Sequence, residues 1–410
     1  MQDKELYQQI LGVLSPWTVA DVQLDDEAQE IRVRVEDPRG ARFKCSECDC
    51  EWPIHDHAAE RRWRHLDSCQ FKTLLIAAPP RIKCPTHGVK NAALPWAEKS
   101  SRFTTIMFER FAIDLLMAAQ TVKGAKGILR ASWDETWHIL KKAVARGQAR
   151  KTDKVLPRPG IDEKAFRKGQ NYVTMIYDLD NSTVEAISDG NNTESENQCF
   201  SQFSKGQLDG VEAIAMDMSA AFVKSAKANI PLAEHKIVHD RFHVMKLATE
   251  AVDKVRRGEH RKLSAEGDTR LSRSRYLWLT GQENLTDAQR ERCEAVYSQE
   301  LETGKAWAYK EMRRDLWGHD TASSATVFFK NWYKRVIHSK LTPMKKVAKT
   351  IRDRLANVVS YCTHGITNAV AEGMNRKIMS IKRRVGRYRN RVNFKTASYF
   401  YCGGLDLYPR

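Results

Sequence analysis

The 410-residue sequence contains no run approaching the ~18 consecutive apolar residues that a membrane helix needs, which argues against a spanning protein. Its first residues, Met1-Gln-Asp-Lys-Glu5, have neither the basic start nor the apolar stretch of a secretory signal, so a cytoplasmic protein is expected. Acid is in short supply. There are 51 Asp and Glu against 68 Lys and Arg, a formal net charge of +17. An excess of that size implies a polyanionic partner, most simply nucleic acid. The nine cysteines are an odd number and do not read as a disulfide framework in a cytoplasmic chain. Closely spaced pairs among them read first as metal ligands. With 42% hydrophobic and 29% charged residues, the balance is that of a soluble globular chain. The length predicts two to four domains at about 100–200 residues each.

The first module carries Ile31-Arg-Val-Arg-Val35, whose alternation predicts a half-buried strand. Cys45-Ser-Glu-Cys48 follows and, after a gap of 35 residues, Cys84-Pro-Thr-His87-Gly88. Each two-residue spacer lets the backbone fold two ligands onto one ion, and two such pairs complete a tetrahedral zinc site. Cys45, Cys48, Cys84 and His87 are therefore the expected ligands of a structural Zn2+, with Cys50, Cys69, His55, His57 and His65 as spares that could replace one of them. Between the pairs lies Arg61-Arg62-Trp63-Arg64, in which Arg61 and Arg62 either touch phosphates or lie on a solvated strand face.

From about 104 to 149 the pattern is helical. Phe108, Phe111, Leu115 and Leu116 recur at helical spacing. A short segment broken by Gly124 and Gly127 follows, and Ser132-Trp-Asp-Glu135 has the form of a capping box. The helix it opens places Trp133, Trp137, Leu140 and Val144 on one stripe, with Lys141, Lys142, Arg146 and Arg150 around it. Three helices with a basic last member suit a helix-turn-helix that binds DNA through Lys141 and Lys142; the plainer alternative is a helical linker domain.

After a basic, proline-bearing boundary at 151–159 the pattern changes. A short strand Pro159–Glu163 ending in carboxylates, a strand Tyr172–Tyr177 and a return strand Thr183–Ile187 come first. A polar helical stretch (192–205), a strand Val211–Asp217, a helix 219–229 and a strand His235–His239 follow. Three strands, helix, strand, helix, strand is the order of the RNase H-like fold. There the first and fourth strands lie side by side, which would bring Asp162 and Asp217 together. Facing carboxylates do not stay ionised without a counter-charge. Mg2+, or Mn2+, supplies one, and a pair of such ions suits phosphodiester cleavage. Asp178 and Asp180 rival Asp162, but their hairpin-tip position argues for turn chemistry.

A third carboxylate is expected from a late helix. Ile366, Val370, Met374, Ile378 and Ile381 make its apolar stripe. Glu372 lies off that stripe with Asn368, Asn375, Met379 and Lys382, as a metal ligand or a solvated ion-pair partner. From Asp217 to Glu372 the chain is far longer than one strand and two helices require. Residues 258–360, with Trp278, Trp307, Trp317 and Trp332, are read as a helical insertion with its own small core. Asp240-x-x-His243 follows the last strand. Asp240 is read as a helix cap, and the pair as an accessory to the site, and these readings are compatible.

Between Arg376 and Lys395 there are nine Lys or Arg and no acid. Arg376, Lys382, Arg383, Arg384, Arg387, Arg389 and Arg391 are the expected phosphate contacts, with Tyr388 and Phe394 interleaved for stacking. The residues after Tyr399 read as an apolar tail packing on the core.

The sequence resembles the ISL-three family of bacterial insertion-sequence transposases, which have a DDE catalytic core. The resemblance runs over nearly the whole chain. It is carried by Cys45-x-x-Cys48 with Cys84-x-x-His87-Gly88, Trp63-Arg-His-Leu-Asp67, Gly160-Ile-Asp162-Glu163 with Phe166-Arg-Lys-Gly169, Ala215-Met-Asp217-Met-Ser219, Asp240-Arg-Phe-His243-Val, Val252-Asp-Lys-Val-Arg256, and Asn368 through Glu372 to Gly386-Arg-Tyr-Arg-Asn390. It implies a triad of Asp162, Asp217 and Glu372 and an all-helical insertion. The expected molecule is therefore α/β and multidomain. A zinc-binding domain (1–100) and a helix-turn-helix (101–150) precede an RNase H-like core (151–257 and 361–410, the latter a helix and basic tail) interrupted by the helical insertion (258–360). The expected activity is cleavage and strand transfer on double-stranded DNA, at terminal inverted repeats and into target DNA, by a homodimer associated with the bacterial nucleoid. A non-catalytic DNA-binding regulator and an RNase H-like nuclease without strand transfer are the rival readings.

Overall fold

A computed structural model describes residues 3–410 apart from 49, 100, 102, 168–170, 298–300 and 387. The chain forms two compact units, residues 1–151 with 381–410, and residues 152–380. No described helix is long and apolar enough to cross a membrane.

In the first unit α1 (Asp3–Ile10) precedes the strands β1 (Thr18–Asp25), β2 (Glu30–Glu36), β3 (Arg42–Lys44), β4 (Glu51–His57), β5 (Arg61–Arg64), β6 (Lys72–Ala77), β7 (Pro80–Cys84) and β8 (Gly88–Asn91). They pair as two four-stranded sheets, β1-β2-β6-β5 and β3-β4-β7-β8. The alternation in β2 buries Ile31, Val33 and Val35. Trp63 is fully buried. Its ring meets Trp96 edge-on at 5.8 Å, and Trp96 meets Trp17 at 4.7 Å. The aromatic of the basic stretch thus belongs to the core and is not presented to a ligand.

Three helices follow, α2 (Ile106–Ala119), α3 (Val122–Leu129) and α4 (Trp133–Ala149). Thr105, Thr121 and Ser132 cap them by accepting from Phe108, Gly124 and Glu135, and Ser132 with Glu135 completes a capping box. The expected apolar stripes need correction. In α4 the buried face is Thr136, Ile139, Leu140, Ala143, Val144 and Gly147. Trp133 is exposed and stacks on Trp137 at 5.5 Å. In α2, Phe111 is exposed and Ile113 takes its place inside.

In the second unit β9 (Pro159–Arg167), β10 (Asn171–Asp178) and β11 (Thr183–Asp189) form an antiparallel meander. After α5 (Thr193–Phe200) and α6 (Lys205–Asp209) comes β12 (Ile214–Met216). Then follow α7 (Ala220–Asn229), the short turn α8 (Ala233–Lys236) and β13 (Ile237–His239). The sheet order is β11-β10-β9-β12-β13, with β12 parallel to both β9 and β13. Two expectations shift. Strand β9 continues to Arg167, so Asp162 lies within it and not at its end. His235 and Lys236 belong to a helical turn and not to the last strand. Ile161, Ile176, Phe200, Ile214, Phe222 and Ile237 fill one core of this unit.

The helical part begins earlier than expected. Helix α9 (Arg241–Ala265) runs through the boundary drawn after 257. Its Val244, Ala248, Val252 and Val255 share one core with Trp278, Phe329, Trp332, Met344 and Ile351. The remaining helices are α10 (Arg275–Leu279), α11 (Asp287–Tyr297), α12 (Glu302–Met312), α13 (Ala322–Ile337), α14 (Thr342–Arg352), α15 (Leu355–Val359), α16 (Tyr361–His364), α17 (Ala369–Arg384) and α18 (Arg391–Cys402). Trp278 and Trp332 are almost wholly buried; truncating a Trp so placed costs about 3–5 kcal/mol. The four tryptophans set among charged residues are the seed of this core, as expected, although Trp307 is only partly buried.

Helix α18 belongs to the first unit and packs on α4. The carbonyls of Leu407, Tyr408 and Pro409 accept from Arg146, Arg150 and Arg110 at 2.5, 2.6 and 3.1 Å. The apolar tail therefore packs on the N-terminal helices, and not on the α/β core as expected.

Candidate active site

The register of the sheet brings the first two acids together. Ala215 of β12 pairs with Gly160 of β9, so Asp217 and Asp162 each stand two residues beyond a paired position on parallel neighbours. Asp162 accepts from the Glu163 amide at 2.8 Å through one oxygen and from the Asn375 side chain at 2.6 Å through the other. Asn375 in turn accepts from the Tyr177 hydroxyl at 2.7 Å. Asp217 accepts from the Ser219 amide at 2.6 Å, and its carbonyl lies 3.1 Å from His239 Nδ1.

Helix α17 is seated against β9 through two asparagines, Asn375 within it and Asn368 just before its first residue. Asn368 donates to the Ile161 carbonyl at 3.2 Å, and Asn375 holds Asp162. The close approach requires a glycine in the strand. A Cβ at Gly160 would lie 2.6 Å from Asn368 Oδ1 and 2.8 Å from Leu179 Cδ2. Both asparagines are buried, so this face of α17 is not the solvated polar face that its composition suggested.

Asp162, Asp217 and Glu372 line one cavity of about 400 Å³, together with Glu163, His243 and Arg376. Burial pushes Asp162 up to about 6; the Glu163 amide, Lys164 and His243 oppose this, and the charge of Asp217 adds to it. The tightest grouping is a different one. Ligand atoms of Asp240, His243 and Glu372 all lie within 4.8 Å of one another. Asp240 caps α9 by accepting from the Phe242 amide at 3.0 Å. Its second oxygen is buried without a hydrogen-bond partner among the described residues, and burial raises its pKa. Asp178 does what its position foretold, accepting from the Asp180 and Asn181 amides at 2.9 and 3.0 Å. Asp180 pairs with Arg158 at 2.9 Å.

Sequence reasoning missed Glu196. It sits on α5, fully buried, and both its oxygens lack a hydrogen-bond partner among the described residues. Burial first, then the charges of Asp217 and Glu163, push it up to about 8. An acid in a polar helical stretch gives no sign of this. Asn375 was missed in its role too, though its spacing of three from Glu372 puts both on neighbouring positions of one helix face.

In the N-terminal unit, ligand atoms of Cys45, Cys48, Cys84 and His87 lie within 4.8 Å of one another. Cys45 Sγ is 3.8 Å and Cys84 Sγ 3.5 Å from His87 Nδ1, and Cys48 Sγ is 3.8 Å from Cys84 Sγ. Ligands bound at about 2.0–2.3 Å to a tetrahedral zinc are separated by about 3.3–3.8 Å, so the donor set and its spacing both fit Zn2+. Burial works against ionisation of Cys84, but the amides of His87 and Thr86 outweigh it and bring the thiol down to about 6. The spares lie outside the cluster; His57, for one, pairs with Asp37 at 2.9 Å.

The basic residues divide. Arg62, Lys141, Arg376, Arg383, Arg384 and Arg389 are exposed, and Arg61, Lys382 and Arg391 half-buried. Arg387 lies outside the described residues. Lys142 does not suit a DNA contact. Its ammonium lies 2.9 Å from Glu109 and 3.3 Å from Glu98, and Arg146 pairs with the same two acids. The basic flank of α4 is thus largely spent on internal pairs. Phe394 is buried with Tyr388 against it at 5.8 Å, so the expected stacking pair faces inward.

Residues 160–398 match the DDE family model of the ISL-three group described as a transposase. Residues 41–87 match the zinc-finger of transposase IS204/IS1001/IS1096/IS1165. The chain is 26% identical over 362 residues to the transposase for insertion sequence element IS1001 of Bordetella parapertussis, covering 87% of this chain and 88% of that one. It is 24% identical over 418 residues to the transposase for insertion sequence element IS1557 of Mycobacterium tuberculosis, covering 93% and 92%.

Proposed function

The chain belongs to the DDE transposase family of the ISL-three group, and on that premise we propose that Asp162, Asp217 and Glu372 are its catalytic acids, acting on double-stranded DNA at terminal inverted repeats. The single observation that carries this is the cavity these three carboxylates line together. The sheet order β11-β10-β9-β12-β13 supports an RNase H-like core made of β9 to β13 with α17, and the separate core shared by α9 and the helices after it supports a helical insertion between β13 and α17. The zinc domain (1–100) and a helix-turn-helix formed by α2 to α4 (101–150) recognise the element ends.

A divalent cation, Mg2+ or Mn2+, supplies charge neutralisation and activation of an attacking oxygen when bound. Asp162 and Asp217 would hold the cation and Glu372 would complete the oxygen set, with Asn375 fixing the orientation of Asp162. The all-oxygen donor set and the mutual repulsion of Asp162 and Asp217 fit such a group. Arg376 on the cavity wall is placed to pair with a phosphate. The basic segment 376–395 tracks the DNA backbone, and a homodimer bridges two element ends.

Incubation of the zinc-loaded protein with labelled element-end DNA, a target plasmid and Mg2+ tests this reading. The expected result is end cleavage followed by joining of the freed 3′-OH to the plasmid, both abolished by Asp162→Asn. Cleavage without joining identifies a nuclease, and binding alone a regulator; either overturns the proposal.

A further inference from the structure

We propose that Asp240, His243 and Glu372 form a mixed imidazole–carboxylate site that takes a first-row transition-metal dication in preference to Mg2+. The site shares Glu372 with the catalytic acids and so rests on the reading of Glu372 given above.

Helix α9 begins at Arg241, directly after Asp240. Asp240 is the N-cap and His243 the third helical residue, two positions whose side chains face each other at a helix start. The backbone of Asp240 is fixed by donation to the Met216 carbonyl at 2.9 Å. One carboxylate oxygen is committed to the cap. The other is left buried and unpartnered among the described residues, on a residue only 3% exposed. Leaving a charged acceptor so placed unsatisfied is costly, and a cation offsets that cost.

The spacing favours an ion over a direct contact. The three ligand atoms lie within 4.8 Å of one another, yet among the described residues no hydrogen bond or ion pair joins these three. Two ligands facing each other across one ion stand about 4.2–4.4 Å apart, twice a bond of ~2.1–2.2 Å. The donor set then sets the preference. Mg2+ favours an oxygen shell and gives up its water reluctantly. An imidazole nitrogen among two carboxylates shifts affinity toward the transition series, in which Mn2+ binds weakest and Co2+ and Zn2+ more tightly. The Asp162–Asp217 pair, with oxygen donors alone, suits Mg2+. The cavity would therefore hold two cation positions of unlike chemistry.

Mn2+ is the probe. The full-length protein, its thiolate site already filled with zinc, is titrated with Mn2+ in the presence of excess Mg2+ and followed by electron paramagnetic resonance. The expected result is bound Mn2+ with a directly coupled nitrogen in the pulsed spectrum. His243→Ala should remove that coupling and weaken Mn2+ binding by about tenfold or more, while Asp162→Asn should leave the coupling in place. Bound Mn2+ without nitrogen coupling in the unmutated protein overturns the proposal, whether or not His243→Ala folds. So does coupling that survives in His243→Ala. If Asp162→Asn still cleaves element ends while the nitrogen coupling stands, the catalytic assignment fails and this site remains. If Asp162→Asn abolishes cleavage but no coupling is found, this site fails alone.

Discussion

The side-chain amide of Asn375 donates to the Asp162 carboxylate at 2.6 Å from a position one turn beyond Glu372 on the same helix. The late helix thus contributes both an acid and the group that aims another acid. Its amide oxygen is also committed, to the Tyr177 hydroxyl, which fixes which way the amide faces. Asn375→Ala should cost about 1–3 kcal/mol by leaving buried polar groups unpaired. It should slow end cleavage by about tenfold or more through the lost alignment of Asp162, with DNA affinity unchanged. Urea denaturation, single-turnover cleavage and a binding titration check the three parts separately. Full cleavage in a folded variant would show that the amide does not aim the carboxylate.

Glu196 makes stability depend on pH. Its folded-state pKa is raised from 4.5 to about 8, so between those values the folded chain keeps a proton that the unfolded chain has released. This contribution is complete below 4.5 and is lost as pH rises through about 8. Glu196→Gln removes the dependence. Without added divalent metal, the variant should gain stability relative to the parent between pH 5 and pH 9 in urea denaturation. An equal difference at both values would contradict the assignment.

Zinc removal should unfold the N-terminal module selectively. Binding energy at a thiolate site is folding energy for the segment around it. Cys84→Ser should therefore lose stoichiometric zinc and the protease resistance of residues 1–100, while the circular dichroism of the remaining helices persists. Retained zinc in that variant would mean that one of the spare ligands serves instead.

Glu109 anchors the helices that follow the zinc module. It is 2% exposed and receives Lys142 and Arg146 at 2.9 Å each. Burial would raise its pKa, but Lys142 and Ser101 hold it below the ordinary value. Glu109→Ala leaves Lys142 and Arg146 to share Glu98 alone and, by removing charge-assisted hydrogen bonds at a buried acceptor, should destabilise by about 1–3 kcal/mol. Lys142→Ala should likewise act on stability, and Lys141→Ala on DNA affinity. Thermal melts and salt-dependent binding isotherms separate the two lysines.

Much of this was legible in the chain itself. Two ligand pairs with two-residue spacers announced the thiolate cluster, because the backbone allows so few ways to fold such a pair onto one ion. The strand pattern gave the meander and the parallel partner that brings Asp217 beside Asp162. The expectation failed where an exposed-looking residue is claimed by long-range packing. Lys142 and Arg146 read as a DNA-facing flank because Glu98 and Glu109 are distant in sequence. Asn375 and Glu196 read as polar helix surface because neither Tyr177 nor Asp217 is their neighbour along the chain. The helical insertion was placed by its tryptophans, but a continuous α9 hides its border, since no breaker interrupts the helix where the core changes.

The central claim is that one cavity with three acids cleaves DNA. Single-turnover cleavage of labelled element-end DNA in Mg2+ by Asp162→Asn, Asp217→Asn and Glu372→Gln, each first shown to bind that DNA as the parent does, tests it most directly. The account predicts a loss of at least about 10³-fold in each variant with binding intact. Cleavage near the parental rate in any one of them would contradict it.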